Sequence, residues 1–96
     1  RLWSAQQALE YGLLNEVLPD DAALRDAARS LAHTLAQGPT RAFGEVKRLL
    51  AESFTHSLET QLEDEAQAIT RCTKTDDAWQ ALNLVLAKQK PKFQGK

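Results

Sequence analysis

Apolar residues recur along this chain at three- and four-residue spacings with polar residues between them, the period of a helix rather than the alternation of a strand. The segment Ser4–Tyr11 opens with Ser4 and carries Gln7 three residues later. That is a capping box, which satisfies two orphan amide donors, and Gly12 then offers a left-handed stop. The stretch from Leu13 to Pro19 is short and partly extended, because Pro19 biases Leu18 away from helix. Asp20 and Asp21 supply the N-cap and first turn of a second helix, whose apolar face is Leu24, Ala27, Ala28, Leu31 and Leu35. Gly38-Pro39 ends it. A third helix runs from about Thr40 to Glu52, with Phe43, Val46, Leu49 and Leu50 expected inward. Ser57 starts a fourth, with Leu58, Leu62, Ala66 and Ile69 on one face and Glu59, Glu63, Asp64 and Glu65 on the others. Thr75 caps a fifth, with Asp76 and Asp77 at its positive dipole end, and Pro91 closes it.

The fifth helix is different in kind. Trp79, Ala81, Leu82, Leu84, Val85, Leu86 and Ala87 cover more than one face, and a helix apolar nearly all round needs partners on several sides. No alternating run is long enough to build a sheet. The expected class is therefore all-α, an open bundle of about five helices, prone to self-association as a dimer or trimer with the fifth helix at its centre.

Composition narrows the function classes. The chain has 96 residues, room for one domain at most, and can bury only about 60–65 % of its unfolded surface. A net charge of −1 supplies no field toward nucleic acid or membrane. No apolar run approaches the roughly 20 residues of a membrane span. Cys72 is the only cysteine, so no internal disulfide or cysteine-type metal spacing exists, and a reducing, cytoplasmic setting is expected. The chain begins at Arg1 and contains no Met, which reads as a processed chain or a cut-out piece.

Few residues invite chemistry. Neither His33 nor His56 is read as standing beside a second metal ligand at helical spacing, so both are taken as solvated or locally bonded, and no metal is expected. The carboxylates Glu59, Glu63, Asp64 and Glu65 read as a solvated helix face, since catalytic carboxylates need burial or close pairing. Cys72 reads as a small, partly buried residue. Ser4, Thr40, Ser57 and Thr75 have capping roles. None of the four glycines falls in a phosphate-cradling cluster. The basic tail, with Lys88, Lys90, Lys92 and Lys96, reads either as a solvated tail beside a helix C-terminus or as a site for an anionic ligand.

A resemblance takes the reading further. The run Ser4-Ala5-Gln6-Gln7-Ala8-Leu9-Glu10-Tyr11-Gly12-Leu13-Leu14-Asn15-Glu16-Val17 resembles the enoyl-CoA hydratase/isomerase (crotonase) family, whose members carry S-A-x-x-A-x-x-x-G-L-V-x-x-V at this point. The end Leu86-Ala87-Lys88-Gln89-Lys90-Pro91-Lys92-Phe93 is similar to the family's closing E-K-R-K-P-x-F. Gly38-Pro39 followed by Lys47, and Thr75-Asp76-Asp77, fall at matching spacings between them. The resemblance implies that residues 1–96 are the C-terminal helical region of such an enzyme, which drives trimer formation, with the N-terminal ββα spiral outside this sequence. It implies chemistry on a coenzyme A thioester, through an oxyanion hole and one or two acidic residues upstream, with no tightly bound cofactor. None of those groups maps onto this chain, so no catalytic residue is expected here. It also implies a contact with the adenine and phosphate end of coenzyme A. The family's first closing Lys aligns with Lys88, and an apolar residue, usually Phe, aligns with Val85. The alternative from another class is a freestanding helical interaction module.

Overall fold

A computed structural model describes residues 2–96. Five helices follow in order: α1 (Ala5–Glu10), α2 (Asp21–Ala36), α3 (Thr40–Glu52), α4 (Leu58–Thr73) and α5 (Asp76–Leu86), with no strand among the described residues. The all-α class with five helices is what the spacing predicts. The chain divides between His33 and Thr34 into two units.

In the first unit the end signals act as read. Ser4 Oγ accepts from the Gln7 amide at 3.1 Å while Gln7 Oε1 accepts from the Ser4 amide at 3.0 Å. Gly12 adopts φ 76°, its amide donates to Leu9 O at 3.0 Å, and the Leu13 amide donates to Ala8 O at 2.9 Å. This is a Schellman close, which a residue with a Cβ would strain. The Trp3 and Tyr11 rings pack 5.2 Å apart across α1. Asp20 Oδ1 accepts from the Ala23 amide at 2.7 Å, the N-cap expected of it.

The second unit runs from Thr34 to Lys96. At the end of α2 the Gly38 amide donates to Leu35 O at 3.1 Å. A Cβ on Gly38 would lie 2.5 Å from the Phe43 ring, so a larger residue there would push that exposed ring aside. Pro39, not Thr40, occupies the N-cap of α3, and no side chain caps it. Thr40 is already helical, and its hydroxyl donates back to Gly38 O at 3.4 Å, which corrects its expected capping role. Ser57 and Thr75 do cap, accepting from the Thr60 and Ala78 amides at 3.2 Å each.

The packing between α3 and α4 departs from expectation. The residues of α4 that lose solvent are Gln61, Asp64, Ala68 and Cys72. Gln61 Nε2 donates to Leu49 O at 3.2 Å, and Arg71 holds Glu45 with two bonds of 2.8 and 3.0 Å. The apolar stripe of α4 is left in solvent, with Leu58 70 %, Leu62 56 % and Ile69 65 % exposed. On α3, Phe43, Val46 and Leu50 are exposed as well, and only Leu49 of the four expected inward is half-buried. Leu24, Leu31 and Leu35 of α2 are also exposed. Among the described residues only Ala68 and Asp77 are buried. Within Thr34–Lys96 the amphipathic stripes of α3 and α4 are left in solvent.

Candidate functional site

The two residues expected at a coenzyme site lie one turn apart at the end of α5. The Lys88 amide donates to Val85 O at 2.9 Å, and the Gln89 amide to Leu84 O at 2.7 Å, another Schellman close. Lys88 takes the position usually given to glycine, at φ 58°. That conformation costs an L-residue about 1 kcal/mol. Lys88 and Val85 are both exposed, and neither lines the two concavities described below. The strain gives Lys88 a separable test. Lys88→Gly should raise stability by up to about 1 kcal/mol in urea denaturation while removing the charge. A loss of stability would mean that the lysine side chain holds the helix end.

A concavity of about 610 Å³ lies further along the tail, lined by Lys90, Pro91, Lys92 and Phe93 with Thr34, Gln37 and Gly38. Two lysines and an aromatic ring suit an anionic, partly planar ligand. The sequence signal for it was the lysine cluster itself, which alone leaves open where the tail runs.

The buried carboxylate of Asp77 directs that tail. One oxygen accepts from the Gln94 amide at 2.8 Å and the other from the Gly95 amide at 2.7 Å. The Asp77 amide donates to Lys96 O at 3.0 Å, and Arg41 Nε donates to Gly95 O at 3.4 Å. Asp77 therefore does more than complement the dipole of α5, and the backbone of residues 94–96 is tied to the start of α5 although Gln94 and Lys96 stay exposed. The basic stretch before them is held at both ends, by α5 and by this clamp.

Elsewhere the side chains pair locally. Glu45 sits between Arg71 and Arg48, whose Nη2 is 2.8 Å from Glu45 Oε2. Arg41, Arg71, Lys74 and Lys96 rim a cavity of about 540 Å³ that Glu45 and Asp76 also line. Cys72 is half-buried, as expected. His56, in the turn between α3 and α4, lies 2.9 Å from Asp64 of α4. Asp64 therefore leaves the solvated acidic face on which the sequence places it. Glu52, His56 and Asp64 all converge, which corrects the reading that His56 has no second ligand nearby.

Comparison with known proteins identifies the setting of these helices. A model of the family described as Enoyl-CoA hydratase/isomerase matches residues 1–96. The chain belongs to the enoyl-CoA hydratase/isomerase family. It is 37 % identical over 93 residues to the 1,2-epoxyphenylacetyl-CoA isomerase of Escherichia coli, covering 97 % of this chain and 35 % of that protein. It is 32 % identical over 93 residues to the 2,3-dehydroadipyl-CoA hydratase of the same organism, again covering 97 % of this chain, and 36 % of that protein. Among solved structures, one from Mycobacterium abscessus assigned as an enoyl-CoA hydratase/isomerase superposes with a TM-score of 0.87 at 40 % identity, covering 98 % of this chain and 36 % of that one. An enoyl-CoA hydratase from Bacillus anthracis gives 0.80 at 29 % identity, with 96 % and 35 % covered. The chain thus spans about a third of the length of the hydratase/isomerases it matches. Among its described residues no helix is long and apolar enough to cross a membrane.

Proposed function

We propose that these residues are the C-terminal helical domain of an enoyl-CoA hydratase/isomerase acting on a coenzyme A thioester. In that enzyme the domain serves assembly and completes part of the coenzyme site, while the acid–base and oxyanion groups come from the rest of the enzyme. The observation that carries this reading is the exposed apolar stripe of α4 together with Trp79, Leu82, Val85 and Leu86 of α5. Uncovered apolar area on this scale is what a domain presents when its partners are other parts of an enzyme or other subunits. Family membership supports the same reading, and makes a freestanding interaction module the weaker one. The lone cysteine and the absence of a membrane-length helix among the described residues support a cytoplasmic enzyme.

At the coenzyme site, Lys88 contributes a point charge to a phosphate, and Val85 an apolar contact where an aromatic ring would stack. Lys90, Lys92 and Phe93 extend the same basic surface. The test has two arms. This chain alone should not hydrate crotonyl-CoA, and turnover that survives repurification would overturn the division of labour. In the full-length enzyme, Lys88→Ala should raise KM for the CoA ester with a cost of about 1 kcal/mol or less, the scale of an exposed charge contact, and leave kcat nearly intact. A collapse of kcat at unchanged KM would remove Lys88 from phosphate binding.

A further inference from the structure

We propose that Glu52, His56 and Asp64 form a binding site for a divalent transition-metal cation such as Zn²⁺ at the corner between α3 and α4. Glu52 ends α3, His56 lies in the following turn, and Asp64 stands on α4. Each offers one ligand atom, and all three atoms lie within 4.8 Å of one another. His56 is four positions after Glu52 and Asp64 eight after His56, and no single helix carries all three. The turn that reverses the chain brings them together.

Three observations point to a cation. The first is distance: His56 Nδ1 is 2.9 Å from Asp64 Oδ2. That is about the separation of neighbouring ligands around an octahedral ion with bonds near 2.1 Å. The second is the state of that nitrogen, which is shielded from solvent and has no aligned hydrogen-bond partner. A proton on Nδ1 makes this contact a bond to Asp64, and a metal ion would replace that proton between the same two atoms. The third is charge. Two carboxylates meet one imidazole, and the nearest cation, Arg48, reaches Glu52 only at 4.0 Å and is bonded to Glu45 at 2.8 Å. A divalent ion would neutralise the pair and leave the imidazole neutral, as metal ligation requires.

The donor set decides the class. One imidazole nitrogen and two carboxylate oxygens suit Zn²⁺, Co²⁺, Ni²⁺ or Mn²⁺ better than the all-oxygen preference of Ca²⁺ or the thiolate preference of Cu⁺. All three side chains are partly exposed, leaving room for water as the remaining ligands. The ion would tie the end of α3 to α4, which Gln61 and the Glu45–Arg71 pair already join by polar bonds. Its role is structural, and it takes no part in chemistry on a thioester.

The experiment is titration of the purified chain, stripped by chelator, with Zn²⁺ and Co²⁺ by calorimetry and by cobalt absorption. One equivalent should bind, and thermal unfolding should shift upward with metal concentration. His56→Gln should lower the affinity by at least about tenfold, since even outer-shell changes have effects of that size. Glu52→Gln tests the site from the solvent side, with far-UV circular dichroism verifying that the helices remain. His33→Gln should leave binding unchanged. Absence of one-to-one binding, or binding that follows His33 or Cys72 instead, would overturn the proposal. Either result is independent of the coenzyme site, because no CoA ester is present.

Discussion

Asp77→Ala should cost about 3 kcal/mol of folding stability, a large effect for a change of one side chain at a helix start. Asp77 is 4 % exposed, and its carboxylate accepts from the Gln94 and Gly95 amides. Hydrogen bonds to a charged group are worth about 1.5–3 kcal/mol each, and a partner left buried and unpaired adds its own penalty. Losing the dipole interaction of α5 adds a few tenths more. In a domain of this size 3 kcal/mol corresponds to roughly 12–24 °C in Tm. Asp77→Asn keeps one acceptor and should fall between the two. Amide hydrogen exchange at Gln94 and Gly95 should accelerate in both variants, ahead of exchange in α4. A change below about 0.5 kcal/mol, the range of ordinary surface substitutions, would mean the clamp holds nothing. The consequence reaches the site, because Lys90, Pro91, Lys92 and Phe93 lie between the clamp and α5.

The second large effect concerns assembly. Within Thr34–Lys96, Leu58, Leu62 and Ile69 of α4 and Trp79, Val85 and Leu86 of α5 are each more than half exposed, an apolar surface of the kind that marks an interaction face. Sedimentation equilibrium should therefore find a homo-oligomer, a dimer or trimer, over the micromolar range. Leu62 and Ile69 lie on the uncovered face of α4 at 56 % and 65 % exposure. Placing Glu at both removes about 3–6 kcal/mol of apolar burial from the contact. That would raise the dissociation constant by about 10²–10⁴-fold. Circular dichroism should be unchanged, because neither side chain belongs to a core within the chain. Trp79→Glu should act in the same direction, through α5. A well-folded monomer at high concentration would show instead that these faces tolerate water.

What the amino-acid sequence determined by itself is the set of helices and their ends. Ser4 with Gln7, Asp20, Ser57 and Thr75 each close a hydrogen bond three residues away, and Gly12 stops α1. Such contacts are complete within about one turn, so residue type and spacing suffice to read them. The α3 bounds fall at Thr40 and Glu52 for the same reason, with Gly38-Pro39 before them. The lysine cluster and the closing motif likewise lie in order along the chain, which made Lys88 and Val85 legible as candidates.

Only the tertiary structure decided which faces are covered. The apolar stripe of α4 marks what a larger assembly would bury, while within this chain α4 turns Gln61, Asp64 and Ala68 inward. Periodicity reports that a face is apolar and says nothing of which partner is at hand, because burial depends on residues distant in sequence. Asp77 shows the same limit. Its acceptors' partners are 17 and 18 residues away, so a carboxylate that looks like a dipole residue becomes the anchor of the tail. Lys88 adopts a left-handed conformation that its residue type disfavours, because the tail beyond it must turn back toward α5's start. Glu52 and His56 stand four residues apart, a spacing visible in the sequence, but Asp64 joins them only because a turn folds one helix end against the next.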